Sequence, residues 1–134
     1  MKRDIEHPKV EGVAMAVVRE TDEDGAPAWY VYLINRKDVA ITNVLVSSQG
    51  YGEVGQEQVK TSELRHYLEK LEPQSFARIE RIMEDVFALS NQYWLSFYVD
   101  RTLFAKKYIF LPESINEDNF TELPVMRKRG VMIE

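Results

Sequence analysis

Along much of this chain apolar and polar residues alternate with a period of two, in runs separated by short polar turns. Tyr93, Leu95, Phe97 and Val99 fall on one side of an extended segment, with Trp94, Ser96, Tyr98 and Asp100 on the other. That is the pattern of a strand with one buried face. Asp100-Arg101-Thr102 turns the chain, and residues 103–111 answer with Phe104, Tyr108 and Phe110 on one side. Lys106 sits among them and extends its charged head to solvent. Pro112 ends the run. The pair reads as a hairpin.

The first third repeats the theme. Residues 13–18 are a Val, Ala and Met run, and Asp22-Glu23-Asp24-Gly25 follows as a turn that tolerates positive φ. Trp29-Tyr30-Val31-Tyr32-Leu33-Ile34 is rich in aromatic and β-branched residues. Asn35-Arg36-Lys37-Asp38 turns again into an apolar run over 39–46. Three strands joined by short turns predict an antiparallel meander.

Residues 59–82 support two readings. Leu64, Tyr67, Leu68 and Leu71 stand at i, i+3, i+4 and i+7, one face of a helix that Thr61 or Ser62 would cap and Pro73 would stop. The surrounding strands favour an extended segment over the same residues. The predicted strands are therefore 12–19, 28–36, 39–49, 75–83, 92–100 and 102–111, plus 58–71 if that stretch is not a short helix near 62–71. This is an all-β antiparallel sandwich of about seven strands, one domain over 1–134. Its core lies at about 12–111, and 112–134 is a polar, loosely attached extension.

Composition narrows the function more than the fold. The 134 residues are 45% hydrophobic and 29% charged, which places the chain among globular domains with a real core. A net charge of −5 disfavours binding to nucleic acid or anionic membrane, both of which need surplus Lys and Arg. With no cysteine, disulfides, thiol catalysis and thiolate metal sites are excluded. No apolar run is long enough to span a bilayer or serve as a signal-peptide core, so the expected setting is cytoplasmic, without membrane.

Two resemblances add to this reading. The stretch "WYVYLINRKDVAITNVLVSS", where an apolar strand ends at an Asn, turns and resumes, resembles the core of immunoglobulin-like and fibronectin-like sandwiches. It implies architecture only. The segments "KTSELRHYLEKLEP", "SFARIE" and "LPVMRKRGV" resemble a family of short bacterial proteins without assigned activity, sometimes labelled as aminoacyl-tRNA synthetase subunits.

Residues 47–56, "SSQGYGEVGQ", contain Gly50, Gly52 and Gly55 at the spacing G-x-G-x-x-G. A dinucleotide site needs those glycines between a strand and a helix. Here polar Gln56-Glu57-Gln58 follows, and Glu53 would repel phosphate. The stretch reads as a mobile loop after a central strand. Asp22-Glu23-Asp24-Gly25 lacks the later ligands of a calcium loop. His7 and His66 have no partner at metal-binding spacing, and no G-x-S-x-G elbow is present. No catalytic residue, metal or cofactor is predicted.

What remains points to binding. Alternation puts some of the aromatics Trp29, Tyr30, Tyr32, Tyr93, Trp94 and Tyr98 on an outer sheet face, where they suit a partner. Trp29, Tyr51, Trp94 and Tyr98 are the candidate contacts. Arg127, Lys128 and Arg129 are a second, basic set, suited to an acidic partner. The predicted role is a non-catalytic module that binds a protein or a second copy of itself. The alternative is a small-ligand binder or enzyme with 47–56 as its lid.

Overall fold

The computed structural model describes residues 8–134, so His7 lies outside the described residues. The chain forms two antiparallel sheets packed face to face. The first has the order β6 (Ser75–Ile82), β2 (Pro27–Asn35), β1 (Val13–Thr21), β10 (Arg129–Ile133), β9 (Thr121–Glu122). The second is built on β3 (Ile41–Val54), which pairs with β7 (Ser90–Val99) on one edge. On its other edge lie β4 (Glu57–Lys60) and then β5 (Leu64–Leu71); β8 (Thr102–Phe110) pairs with β7.

The β1–β2 and β7–β8 hairpins form, but the expected three-strand meander does not: after the turn at 35–38 the chain crosses over, and β3 joins the second sheet instead of pairing with β2. In the β1–β2 turn the Asp22 carboxylate accepts the backbone N–H groups of Asp24 and Ala26 at 2.9 and 3.0 Å, and Gly25 takes φ +83°. Between β7 and β8, Asp100 takes the left-handed conformation (φ +54°). Inside β3 a register shift between Thr42 and Leu45 leaves Asn43 at φ +48°. This bulge lets both Ile41 and Val44 face the core although they stand three positions apart.

The main core lies between the sheets. Val13, Met15, Val17, Val31 and Leu33 of the first meet Val44, Val46, Tyr93, Leu95, Phe97, Tyr108 and Phe110 of the second. β1 and β2 read as continuous apolar runs because their other face is covered too. Ala14, Ala16, Val18, Tyr30, Tyr32 and Ile34 pack beneath Leu123 and Met126, in the chain segment between β9 and β10. A strand buried on both faces loses its alternation; β7, buried on one face, keeps it.

One open reading is settled and three expectations are corrected here. Residues 64–71 are a strand, not a helix: the i, i+3, i+4 pattern there is set aside because β3 supplies a partner for the backbone hydrogen bonds along its whole edge. The glycine stretch is not a loop or a lid; β3 runs through it to Val54, and an antiparallel strand follows a tight turn at Gly55 (φ +65°). The extension after Pro112 is not loosely attached, since β10 pairs with β1 at the centre of the first sheet. Among the described residues the strands number ten rather than about seven, because the short β4, β9 and β10 carry no periodic signal of their own.

Candidate functional site

The outer face of the second sheet is the first place to look, because nothing among the described residues covers it. Alternation along β3, β5, β7 and β8 sends one set of side chains outward. Cross-strand register then aligns them. Tyr67, Leu45, Ser96 and Ala105 form one row, and Arg65, Ser47, Trp94 and Lys107 the next. Tyr98 lies across from Leu103. Tyr67 is 60% exposed and Trp94 48%, with Leu45, Tyr98 and Leu103 also exposed. Lys107 Nζ lies 5.4 Å from the Trp94 ring centre, and Tyr67 donates its hydroxyl to Asn43 Oδ1 at 2.8 Å. Both contacts hold an aromatic ring in place without burying it.

The structure brings Trp94, Tyr98 and, further along β3, Tyr51 onto this face. Trp29 is elsewhere. It is 7% exposed, stands edge-on to Phe87 and Phe120, and donates its indole N–H to Glu84 Oε1 at 2.8 Å. The basic triplet lies by the first sheet and is partly engaged there. Lys128 pairs with Glu20, Arg129 donates to the Phe120 carbonyl at 3.1 Å, and Arg127 is exposed at φ +56°. Sequence reasoning missed Leu45, Tyr67 and Leu103. Their strands were identifiable, but the register that sets them beside Trp94 is not written in any one segment.

A second feature lies on the flank of the sandwich, where β5 and β6 are the facing edge strands. Glu80 of β6 points its carboxylate across the gap between the sheets, and its side chain is 10% exposed. Oε1 accepts from Ser48 Oγ at 2.8 Å and meets His66 Nε2 at 2.7 Å; Oε2 accepts from the Tyr93 hydroxyl at 3.2 Å. The group opens on a cavity of about 380 Å³. Ser48, His66 and Glu80 are the residue types of a hydrolytic triad in the wrong order. Serine and histidine both bond to the carboxylate, so the imidazole is not placed to take the serine proton. Among the described residues no group of three His, Asp or Glu side chains is placed to hold a metal ion, and no helix is long and apolar enough to cross a membrane.

The glycines have a packing role in this region. A Cβ on Gly50 would sit 3.1 Å from Asn91 Oδ1 and 3.2 Å from a Thr61 methyl, and one on Gly52 would meet Leu89 at 3.2 Å. They let neighbouring side chains close over β3. No helix N-terminus stands at Gly55 to receive a phosphate.

Comparison with family models, curated proteins and solved structures finds no match to this chain. The site therefore rests on its own geometry.

That geometry makes one prediction about pH. Burial, reinforced by the Glu80 charge, pushes the Tyr93 phenol well above its usual value of 10.0. Burial, with Glu134 adding to it, does the same for Tyr108, whose hydroxyl donates to the Val13 carbonyl at 2.6 Å. A raised folded-state pKa gives stability that is complete below the unfolded value and lost as pH climbs beyond it toward the folded one. Urea unfolding between about pH 9 and 11 is expected to show stability falling by up to about 1.4 kcal/mol per pH unit for each phenol. Tyr93→Phe should remove one such share of the slope. Parallel curves for the variant and the wild type would show that Tyr93 is not a buried neutral phenol.

Proposed function

We propose that this protein is a non-catalytic interaction module of the immunoglobulin-like class, and that it binds protein through the outer face of its second sheet. One observation carries the reading: the two outer sheet faces are treated differently. The chain covers the first with its own segment around Leu123 and Met126, while the second presents Leu45, Tyr67, Trp94, Tyr98 and Leu103 to solvent. A sheet face holding exposed aromatics beside Arg65 and Lys107 has the composition of an interface core with a charged rim.

The immunoglobulin-like assignment is supported by strand order. With β1, β2 and β6 as strands A, B and E, and β3, β7 and β8 as C, F and G, the E-B-A and C-F-G neighbours match that fold, with β5 beside C; β10 and β9, which extend the first sheet beyond A, are additions to it. Membership of the short bacterial family rests on segments that fall on β5, β6 and the C-terminal crossing, and it brings no activity with it.

The binding face is tested by Trp94→Glu, which leaves the core untouched. Sedimentation across a concentration series reads self-association, and capture with the purified protein as bait reads heterologous partners. Trp94→Glu is expected to weaken whichever contact is present by at least about thirtyfold, as loss of a central aromatic does. Asp24→Lys, at the β1–β2 hairpin tip, should leave it unchanged. A strictly monomeric wild type whose captured partners are the same with and without Trp94 sinks the proposal.

A further inference from the structure

We infer that the flank cavity is a binding site for a small organic cation, a primary ammonium on a short apolar body, with Glu80 as its counter-charge. The first reason is a charge imbalance. Glu80 holds a nine-tenths-buried carboxylate whose donors are the hydroxyls of Ser48 and Tyr93 and the imidazole of His66. Among the described residues no Lys or Arg stands within ion-pair distance of it. Arg81, the next residue along β6, also borders the cavity, but its guanidinium is turned to the Asp22 carboxylate 3.6 Å away. A buried carboxylate without a permanent cation is costly, and a cation arriving from solution relieves that cost.

The second reason is the chemistry of the cavity floor. Glu80 Oε2 accepts one long hydrogen bond, from Tyr93, and a carboxylate oxygen accommodates two. Asn91, 5% exposed and lining the same cavity, spends both amide hydrogens on the carbonyls of Val86 and Leu89. Its Oδ1 is left as an acceptor beside Gly50. Asp85 also borders the space. A floor made of acceptors calls for a ligand made of donors, and three N–H donors on one charged atom describe an ammonium group.

The third reason is shape. Leu64, Ile82, Met83 and Val86 supply apolar wall, and Leu64 and Met83 are the exposed side chains among them. A volume of about 380 Å³ falls in the range of small-molecule sites. Apolar walls above a charged acceptor floor fit a benzyl or butyl amine better than a bare cation, which would leave that wall unfilled.

The test uses benzylammonium as probe and benzyl alcohol as its neutral counterpart, followed by amide correlation spectra of the full chain. Benzylammonium is expected to give saturable shifts centred on Gly50, Ser62 and Asn91 with a dissociation constant of about 1 mM or tighter, and benzyl alcohol to bind at least about tenfold more weakly. Glu80→Gln should erase the preference for the charged probe. Should Glu80→Gln fail to fold, Leu64→Lys at the exposed mouth is the second variant. It should weaken benzylammonium about tenfold more than it weakens the alcohol, which loses only the Leu64 wall contact. No saturable shift up to about 20 mM, equal binding of amine and alcohol, or undiminished amine binding in either folded variant overturns the inference.

Discussion

Gly130→Ala is expected to be among the most damaging single substitutions in this protein, although it adds one methyl group. Gly130 sits on β10, which pairs with β1, and a Cβ there would lie 2.5 Å from the Val17 carbonyl oxygen. That oxygen belongs to the backbone of a central strand and cannot rotate aside. The remaining directions are blocked by Leu123 at 3.1 Å and a Val18 methyl at 3.2 Å. Relief requires β10 to move off β1, which also lifts the cover around Leu123 and Met126 from Ala14, Ala16 and Val18. A loss of about 3 kcal/mol or more in urea unfolding is expected, the size that overpacking against rigid backbone produces. Gly25→Ala is the comparison. Its φ of +83° costs strain, but nothing lies within 4 Å of the new Cβ, so about 1 kcal/mol is expected. Equal stability of Gly130→Ala and the wild type would mean that β10 does not lie against β1.

Asn35 is the second position where a small change should have a large effect. It ends β2 with no exposed surface, where an apolar strand would be expected to close on an apolar residue. Its Nδ2 is shared among the carbonyls of Val39 (3.0 Å), Leu71 (3.3 Å) and Glu72 (3.0 Å), and its Oδ1 accepts the Lys37 N–H at 3.0 Å. One amide thus ties the turn between β2 and β3 to the end of β5, and so joins the two sheets. Asn35→Ala leaves those carbonyls buried without a donor and should cost about 2–4 kcal/mol. Asn35→Asp should be worse at neutral pH, because it replaces the donor by a charge facing carbonyl oxygens. Its burial raises the folded-state pKa of the new carboxyl, so the protonated form is the one folding favours. The deficit relative to wild type should therefore shrink on going from about pH 7 to pH 5, where the neutral acid can donate one bond. A deficit that stays constant or grows over that range would show that residue 35 does not face those carbonyls. Urea midpoints at the two pH values decide it.

Both positions were visible in the sequence without their weight. Asn35 is legible as the residue where an apolar strand stops, but two of the three carbonyls it serves come from 36 and 37 positions later in the chain. Gly130 stood next to a basic triplet and read as part of a tail. The aromatic face was half legible: Trp94 and Tyr98 follow from alternation within β7, whereas Leu45 and Tyr67 join them through the pairing of β3 and β5. The Glu80 cavity was not legible at all. Ser48, His66, Glu80 and Tyr93 belong to four different strands, and none of them stands in a local pattern that suggests chemistry.

The sequence by itself determined the β class, the two hairpins, the inward and outward sides of β7 and β8, and the absence of thiol chemistry. These follow from period-two patterning and turn residues, which act over a few neighbours and are written in consecutive positions. Only the tertiary structure decided that residues 64–71 are extended, that the glycine stretch is strand, and that the C-terminal segment completes and covers the first sheet. It alone also left one sheet face uncovered among the described residues and set a buried carboxylate over a cavity. Each of those outcomes depends on which strand lies beside which. Pairing is chosen by the burial and hydrogen bonding of the whole sandwich, and the energy that selects it comes from residues far apart in the chain.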